Sequence, residues 1–207
     1  MSDRMALKIA IDLVHVPSQV RLFRSEPLPD GVLVLLRIAA GDKEAEQAAT
    51  ASTGRSLEVV RRAATFFIEQ VLFAPDADSY RVLATSPQAS AAELRCNLAL
   101  LLRWLHPDID PQGERSIFIG RVTAAWNNLK TPERRTAYDD LRQSFNARSK
   151  SRSKRGKSRS GRQSASKQFA DGGSYRSRLA WNAPLTRGVE KVGFLRRALS
   201  VLFHRPL

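Results

Sequence analysis

The chain has 207 residues, 43% of them hydrophobic and 26% charged, a balance that fits one or two folded soluble domains with room for a sizeable core. Its 34 basic and 20 acidic residues leave a net charge of +14, and the excess is confined to one end: residues 1–146 hold 18 of each sign, whereas residues 147–207 hold 16 basic residues against only Asp171 and Glu190. A single cysteine, Cys96, excludes an internal disulfide and a Cys-rich zinc module, so the cytoplasm is the expected compartment. The opening through Val20 carries Arg4 and Lys8, is broken by Asp12 and closed by Pro17, and is too short for a secretory signal; no apolar run reaches membrane-spanning length.

Residues 1–76 read as a small helical region of unknown role. Ile9, Ile11 and Leu13 alternate with other residues in a pattern that a short strand or a helix could carry. A joint at Pro27, Pro29 and Gly31 follows. Beyond it lie an apolar stretch to Ala40, an Ala/Glu-rich stretch from Asp42 to Ala51, and Leu57, Val60, Ala64, Phe67 and Val71 at helical spacing.

The segment from 77 to 145 is more legible. A short helix around Asp78–Leu83 is followed by a turn at Ser86–Pro87. Ser90-Ala91-Ala92-Glu93 forms a capping box, in which the serine oxygen accepts from a free first-turn amide and the glutamate reaches back to the cap. Leu94, Leu98, Leu101, Leu102 and Leu105 then form one apolar stripe. His106 precedes Pro107, which disfavours helical geometry and ends the helix there. A polar loop runs to Arg115. Ile119, Val122, Ala125, Trp126 and Leu129 give a third helix, and Thr131-Pro132 starts a fourth through Arg142. The two longer helices, joined by this loop, pack antiparallel.

From Ala147 to Lys167 there are nine Lys+Arg, seven Ser and no acid, a composition expected to be disordered over a linker of residues 146–187. In residues 188–207, Val189, Val192, Leu195, Leu199 and Phe203 recur at helical spacing among basic residues, giving a weak basic amphipathic segment opposed by Gly188 and Gly193.

The short helix at Asp78–Leu83, the capped helix, the tripeptide His106-Pro107-Asp108, the run Ala124-Ala125-Trp126-Asn127-Asn128-Leu129 and the closing Pro132-Glu133-Arg134-Arg135-Thr136-Ala137-Tyr138-Asp139 together resemble the J domain of DnaJ-type co-chaperones. The resemblance implies an all-α fold, and a domain that docks its second helix and His-Pro-Asp loop on an ATP-bound DnaK-class chaperone, stimulates that partner's ATP hydrolysis and performs no chemistry itself. It implies chaperone contacts at His106, Pro107, Asp108, Arg95 and Arg103. Tyr80, Leu83, Leu94, Leu98, Leu101, Leu105, Val122, Ala125, Trp126 and Leu129 would pack the domain, and Arg134, Arg135 and Tyr138 would belong to the closing helix. Pro107 stops the helix and leaves Asp108 displayed where a carboxylate can pair with a partner's arginine.

The sequence departs from that family in one respect. J domains usually line the outward face of the second helix with several basic residues, whereas Arg95, Cys96, Ala99, Leu100 and Arg103 stand there in this chain. Leu100 and Trp104 are apolar for such positions and call for cover by the first region or by a non-standard partner. The Gly/Phe-rich linker and zinc-binding cysteines of full DnaJ proteins are also missing, so the resemblance covers the J domain only.

No enzyme activity is expected, since His106 and Asp108 have no nucleophile nearby in sequence. His15 and His204 lack ligand-spaced neighbours, and no metal or cofactor is expected. Cys96 reads as an incidental small residue, and Trp126 and Tyr138 as core. Two functions follow. In the first, the chain is a co-chaperone whose N-terminal region selects a client or a site. In the second, the J-like fold is a non-stimulating scaffold, and Arg152, Lys154, Arg155, Lys157 and Arg159 of the tail bind nucleic acid or an anionic membrane surface.

Overall fold

A computed structural model describes residues 3–157 apart from Pro107 and Pro111, with no side chains described beyond Phe145 or before Met5. All regular elements among the described residues are helical, as the all-α reading expects. Pro107, Arg159 and the segment 188–207 lie outside the described residues, as do the side chains of Arg152, Lys154, Arg155 and Lys157.

The ambiguous opening is a helix, α1 (Asp3–His15). Its buried side chains Ala6, Leu7, Ala10 and Ile11 follow the helical period, with Leu13 also enclosed. After a short α2 (Val20–Ser25), Gly31 at φ +88° begins α3 (Val32–Ala39), a left-handed conformation that side chains resist. The apolar stretch from Val32 is the reason α3 sits inside: Leu35, Leu36 and Ile38 are each no more than 1% exposed. Asp42 caps α4 (Lys43–Thr53) by accepting from the Glu44 and Ala45 amides at 3.1 and 3.3 Å. Ser56 caps α5 (Leu57–Phe67), which packs against α1, α3 and α4. No local pattern signals the pair Glu46–Arg61, in which a buried carboxylate of α4 accepts from Nε and Nη2 of the guanidinium at 2.6 and 2.9 Å.

Asp78 caps α6 (Ser79–Val82) through the Arg81 amide. The capping box at Ser90 and Glu93 forms as read, opening α7 (Ala91–Trp104), with α8 (Ile119–Leu129) packed against it. Leu94, Leu98, Leu101, Leu102 and Leu105 are all buried. Trp126 and Tyr138, read as core, are only partly buried at its margin. The Tyr138 hydroxyl accepts the Ser79 amide at 2.8 Å, so its polar end has a use that full burial would deny it. The last helix, α9 (Pro132–Lys157), continues past Arg142 and into the stretch read as disordered. Between Pro132 and Gly156 there is neither proline nor glycine to stop it.

The boundary near residue 76 is not a boundary in the core. One apolar cluster runs from α1, α3 and α5 through α7 and α8. A polar side chain spans the same seam: Arg81 donates to the carbonyls of Phe23 and Glu26. Burial pulls the Arg81 guanidinium below its usual value, with Asp78 and Asp76 opposing that shift. The buried Asn97 donates to the Leu83 and Ala84 carbonyls, both at 3.0 Å, and so braces Ala84 in a left-handed conformation at φ 52°. Because the core is continuous, residues 3–145 are expected to unfold in one transition, with far-ultraviolet dichroism and tryptophan fluorescence coincident. Leu101→Ala should lower the stability of the whole unit by about 2–5 kcal/mol, as measured by urea denaturation.

Candidate functional site

The carboxyl end of α7 and the start of the following loop form the site. The Leu105 amide donates to Leu101 O and the His106 amide to Arg103 O, both at 3.0 Å, so the helix closes tightly at the histidine. The His106 carbonyl then accepts the amides of Ile109 and Asp110 at 2.9 and 3.0 Å. That doubly used acceptor folds the chain back on itself. The His106 ring lies beside Asp108, with Nδ1 3.2 Å from the Asp108 backbone nitrogen and 3.3 Å from its Oδ2. Nδ1 accepts the amide where it bears a lone pair and donates to the carboxylate where it bears a hydrogen, so the two contacts are alternatives.

The Asp108 side chain is 86% exposed. The next acid, Asp110, is buried and accepts the Arg115 amide through Oδ2 at 2.8 Å, which makes it a structural group. The two carboxylates of this loop therefore have separate duties, one outward and one inward.

The outward face of α7 agrees with the reading of the sequence. Arg95, Cys96 and Arg103 are exposed, and Ala99 and Leu100 are half-buried. With His106, Asp108 and Ile109, the residues Cys96, Ala99, Leu100 and Arg103 border a shallow open groove. Arg95 is on the same face but outside the groove lining. Trp104 differs: it is 1% exposed and turned inward, stacked on Phe73 at 5.9 Å between centroids and on Phe118 at 6.1 Å. Of the two covers considered for it, the first region supplies the cover. Arg115 completes the enclosure with its guanidinium 5.0 Å from the Trp104 ring centre.

Arg115 also faces Glu69 at 3.7 Å. Burial raises the Glu69 carboxyl above its ordinary value near 4.5, Arg115 opposes the rise, and Glu114 and Asp110 add to it. A residue with this environment leaves no local mark in the sequence, because the loop that faces it is distant in the chain. Among the described residues no group of three His, Cys, Asp or Glu side chains is placed to hold a metal ion, and no helix is long and apolar enough to cross a membrane.

A raised carboxyl value means that the folded chain holds the Glu69 proton more tightly than the unfolded chain does. Its contribution to stability is complete below about pH 4.5 and is lost as pH rises through the raised value. Glu69→Gln should accordingly gain stability relative to the parent between about pH 4 and about pH 7, in paired urea titrations. A stability difference that stays flat or falls over that range would contradict the assignment.

No protein-family model and no solved structure gives a significant match to the chain. Among curated proteins, chaperone protein DnaJ 1 of Mycobacterium leprae (strain TN) is 35% identical over 68 residues, a span of 33% of this chain and 18% of that protein. The chain thus spans less than a fifth of the length of the relative it matches, and the similarity supports a J-domain-like region over about a third of the chain.

Proposed function

We propose that the protein is a J-domain co-chaperone that presents the outward face of α7 and the His106–Asp108 loop to an ATP-bound DnaK-class chaperone and stimulates its ATP hydrolysis. The observation that carries this reading is the exposed Asp108 carboxylate at the end of α7, inside a His-Pro-Asp tripeptide, in a chain similar over 68 residues to a DnaJ chaperone. An exposed carboxylate whose neighbouring acid is already engaged is free to pair with a guanidinium of a partner. Arg95 and Arg103 flank the docking face and supply the positive charge for an acidic partner surface. Charges at such a rim steer and orient, so most of the affinity comes from the apolar floor between them at Ala99, Leu100 and Ile109.

The chain acts without chemistry of its own, and the hydrolysed bond belongs to the partner. The exposed lone Cys96 is compatible with a reducing, cytoplasmic setting. In single-turnover ATP hydrolysis by a DnaK-class chaperone, the full chain is expected to accelerate the reaction. Asp108→Asn is expected to lose that acceleration by about tenfold or more, equivalent to about 1.4 kcal/mol, while circular dichroism stays unchanged. Arg103→Glu should raise the half-saturating concentration, and the effect should shrink at high salt. Full stimulation by Asp108→Asn would sink the reading.

A further inference from the structure

The end of α5 departs from regular helix, and it meets the connection that carries the His106–Asp110 loop. Ile68–Leu72 is a π-helical turn, with the Phe73 amide donating to the Ile68 carbonyl at 2.9 Å. A π-turn holds one residue more than an α-turn and so rotates everything after it. Two of the groups it sets out meet the connection between α7 and α8. The Glu69 carboxylate stands 3.7 Å from the Arg115 guanidinium, and the Phe73 ring stacks on Phe118 at 4.7 Å and on Trp104 at 5.9 Å. The carbonyls of Phe73 and Ala74 are tied in turn to Arg121 of α8. Arg115 passes the constraint on, since its amide holds the Asp110 carboxylate at 2.8 Å.

The loop is held from a second direction as well. Gly41, at φ +73°, turns the chain between α3 and α4, and a Cβ built on it would meet Ile109 Cδ1 at 3.8 Å. Ile109 Cδ1 therefore lies close to that turn. The turn is itself fixed: Arg37 Nε donates to Asp42 Oδ2 at 2.7 Å while the other Asp42 oxygen caps α4. Residues on both sides of Asp108 in the fold are thus anchored to helices that precede residue 76.

We infer that the N-terminal helical region is the mould of the chaperone-facing loop: Glu69 of the π-turn, acting through Arg115, Phe73 just after it, acting through Trp104 and Phe118, and Gly41, beside Ile109, are positioning elements that hold His106, Asp108, Ile109 and Asp110 in their docking arrangement. In this arrangement α1–α5 belong to the docking site, instead of forming a separate client-selecting unit. A loop ordered in advance does not have to be ordered at the moment of binding, so the gain appears in apparent affinity. The consequence for ATPase stimulation rests on the co-chaperone reading, whereas the placement of the loop does not.

The test uses the full chain and two variants, Glu69→Ala and Ile109→Ala, with Ile109→Leu as the conservative control. Amide hydrogen exchange is followed at Ile109 and Asp110, whose N–H groups donate to His106 O. Exchange at these two amides should accelerate about tenfold in both alanine variants and stay near the parent value in Ile109→Leu, with the buried turns of α7 around Leu101 unchanged. In single-turnover ATPase assays Glu69→Ala should raise the half-saturating concentration about threefold to tenfold and leave the maximal rate intact. Unchanged exchange at both amides would overturn the inference, as would acceleration that spreads equally through α7, since that is global loosening. Accelerated loop exchange in the alanine variants, with a parent chain that stimulates no ATPase, would defeat the co-chaperone reading and leave the positioning role standing.

Discussion

The burial of Trp104 is the interaction on which the arrangement depends. A tryptophan at the last turn of α7 would be a large apolar liability on an exposed helix, and here it is closed in by Phe73, Phe118 and the guanidinium of Arg115. That one enclosure joins the end of the N-terminal region, the end of α7 and the start of α8. Its cost is visible too. The Trp104 indole Nε1 is buried without a hydrogen-bond partner among the described residues, a desolvation penalty of about 1–3 kcal/mol that the aromatic contacts must exceed. The stack is accordingly held by shape and dispersion, and it tolerates little displacement of any of its rings.

The acids around it show the same exchange of stability for placement. Glu69 is half-sheltered beside Asp110 and Glu114, surroundings that disfavour its charge, and the cation that pairs with it is Arg115. A partly buried ion pair of this kind seldom adds net stability, since desolvation offsets much of the attraction. What it supplies is a fixed position for Arg115, whose amide in turn holds Asp110. The outward acid of the loop owes its freedom to the inward one: Asp110 satisfies the local backbone, and among the described residues Asp108 pairs with its neighbour His106.

How much of this was legible in the sequence depended on the range of the interactions. The capping box at Ser90, the leucine stripe of α7 and the helix-ending His106-Pro107 step are local signals, and α7 has the expected cap and buried face. The outward face at Arg95, Cys96 and Arg103 followed from the same period. Trp104 was visible as an anomaly but not as a solution, because its partner Phe73 lies 31 positions earlier in the chain. Alternation at Ile9, Ile11 and Leu13 left α1 undecided, since a short apolar pattern fits two periods and the choice is made by packing on α5. The buried Asn97 and Glu46 were missed for a related reason. Each satisfies groups that adjoin it only after folding, Asn97 the carbonyls that follow α6 and Glu46 the Arg61 of α5. The π-turn has no composition of its own, and a helical period carried straight through it reads as one helix.

The continuous core has a consequence for how such a chain can be altered or inherited. Where a domain owns its interior, it can be cut out, shuffled and joined to new neighbours with its surface intact. The segment from 77 to 145 is not in that position, because excising it would strip Phe73 from Trp104 and bare the side of α7 that α3 covers. Recombination at residue 76 would deliver a fragment with a sticky flank, so the two halves are bound to travel and diverge as a pair, each substitution at Phe73 or Gly41 judged by what it does to a loop on the other side of the join.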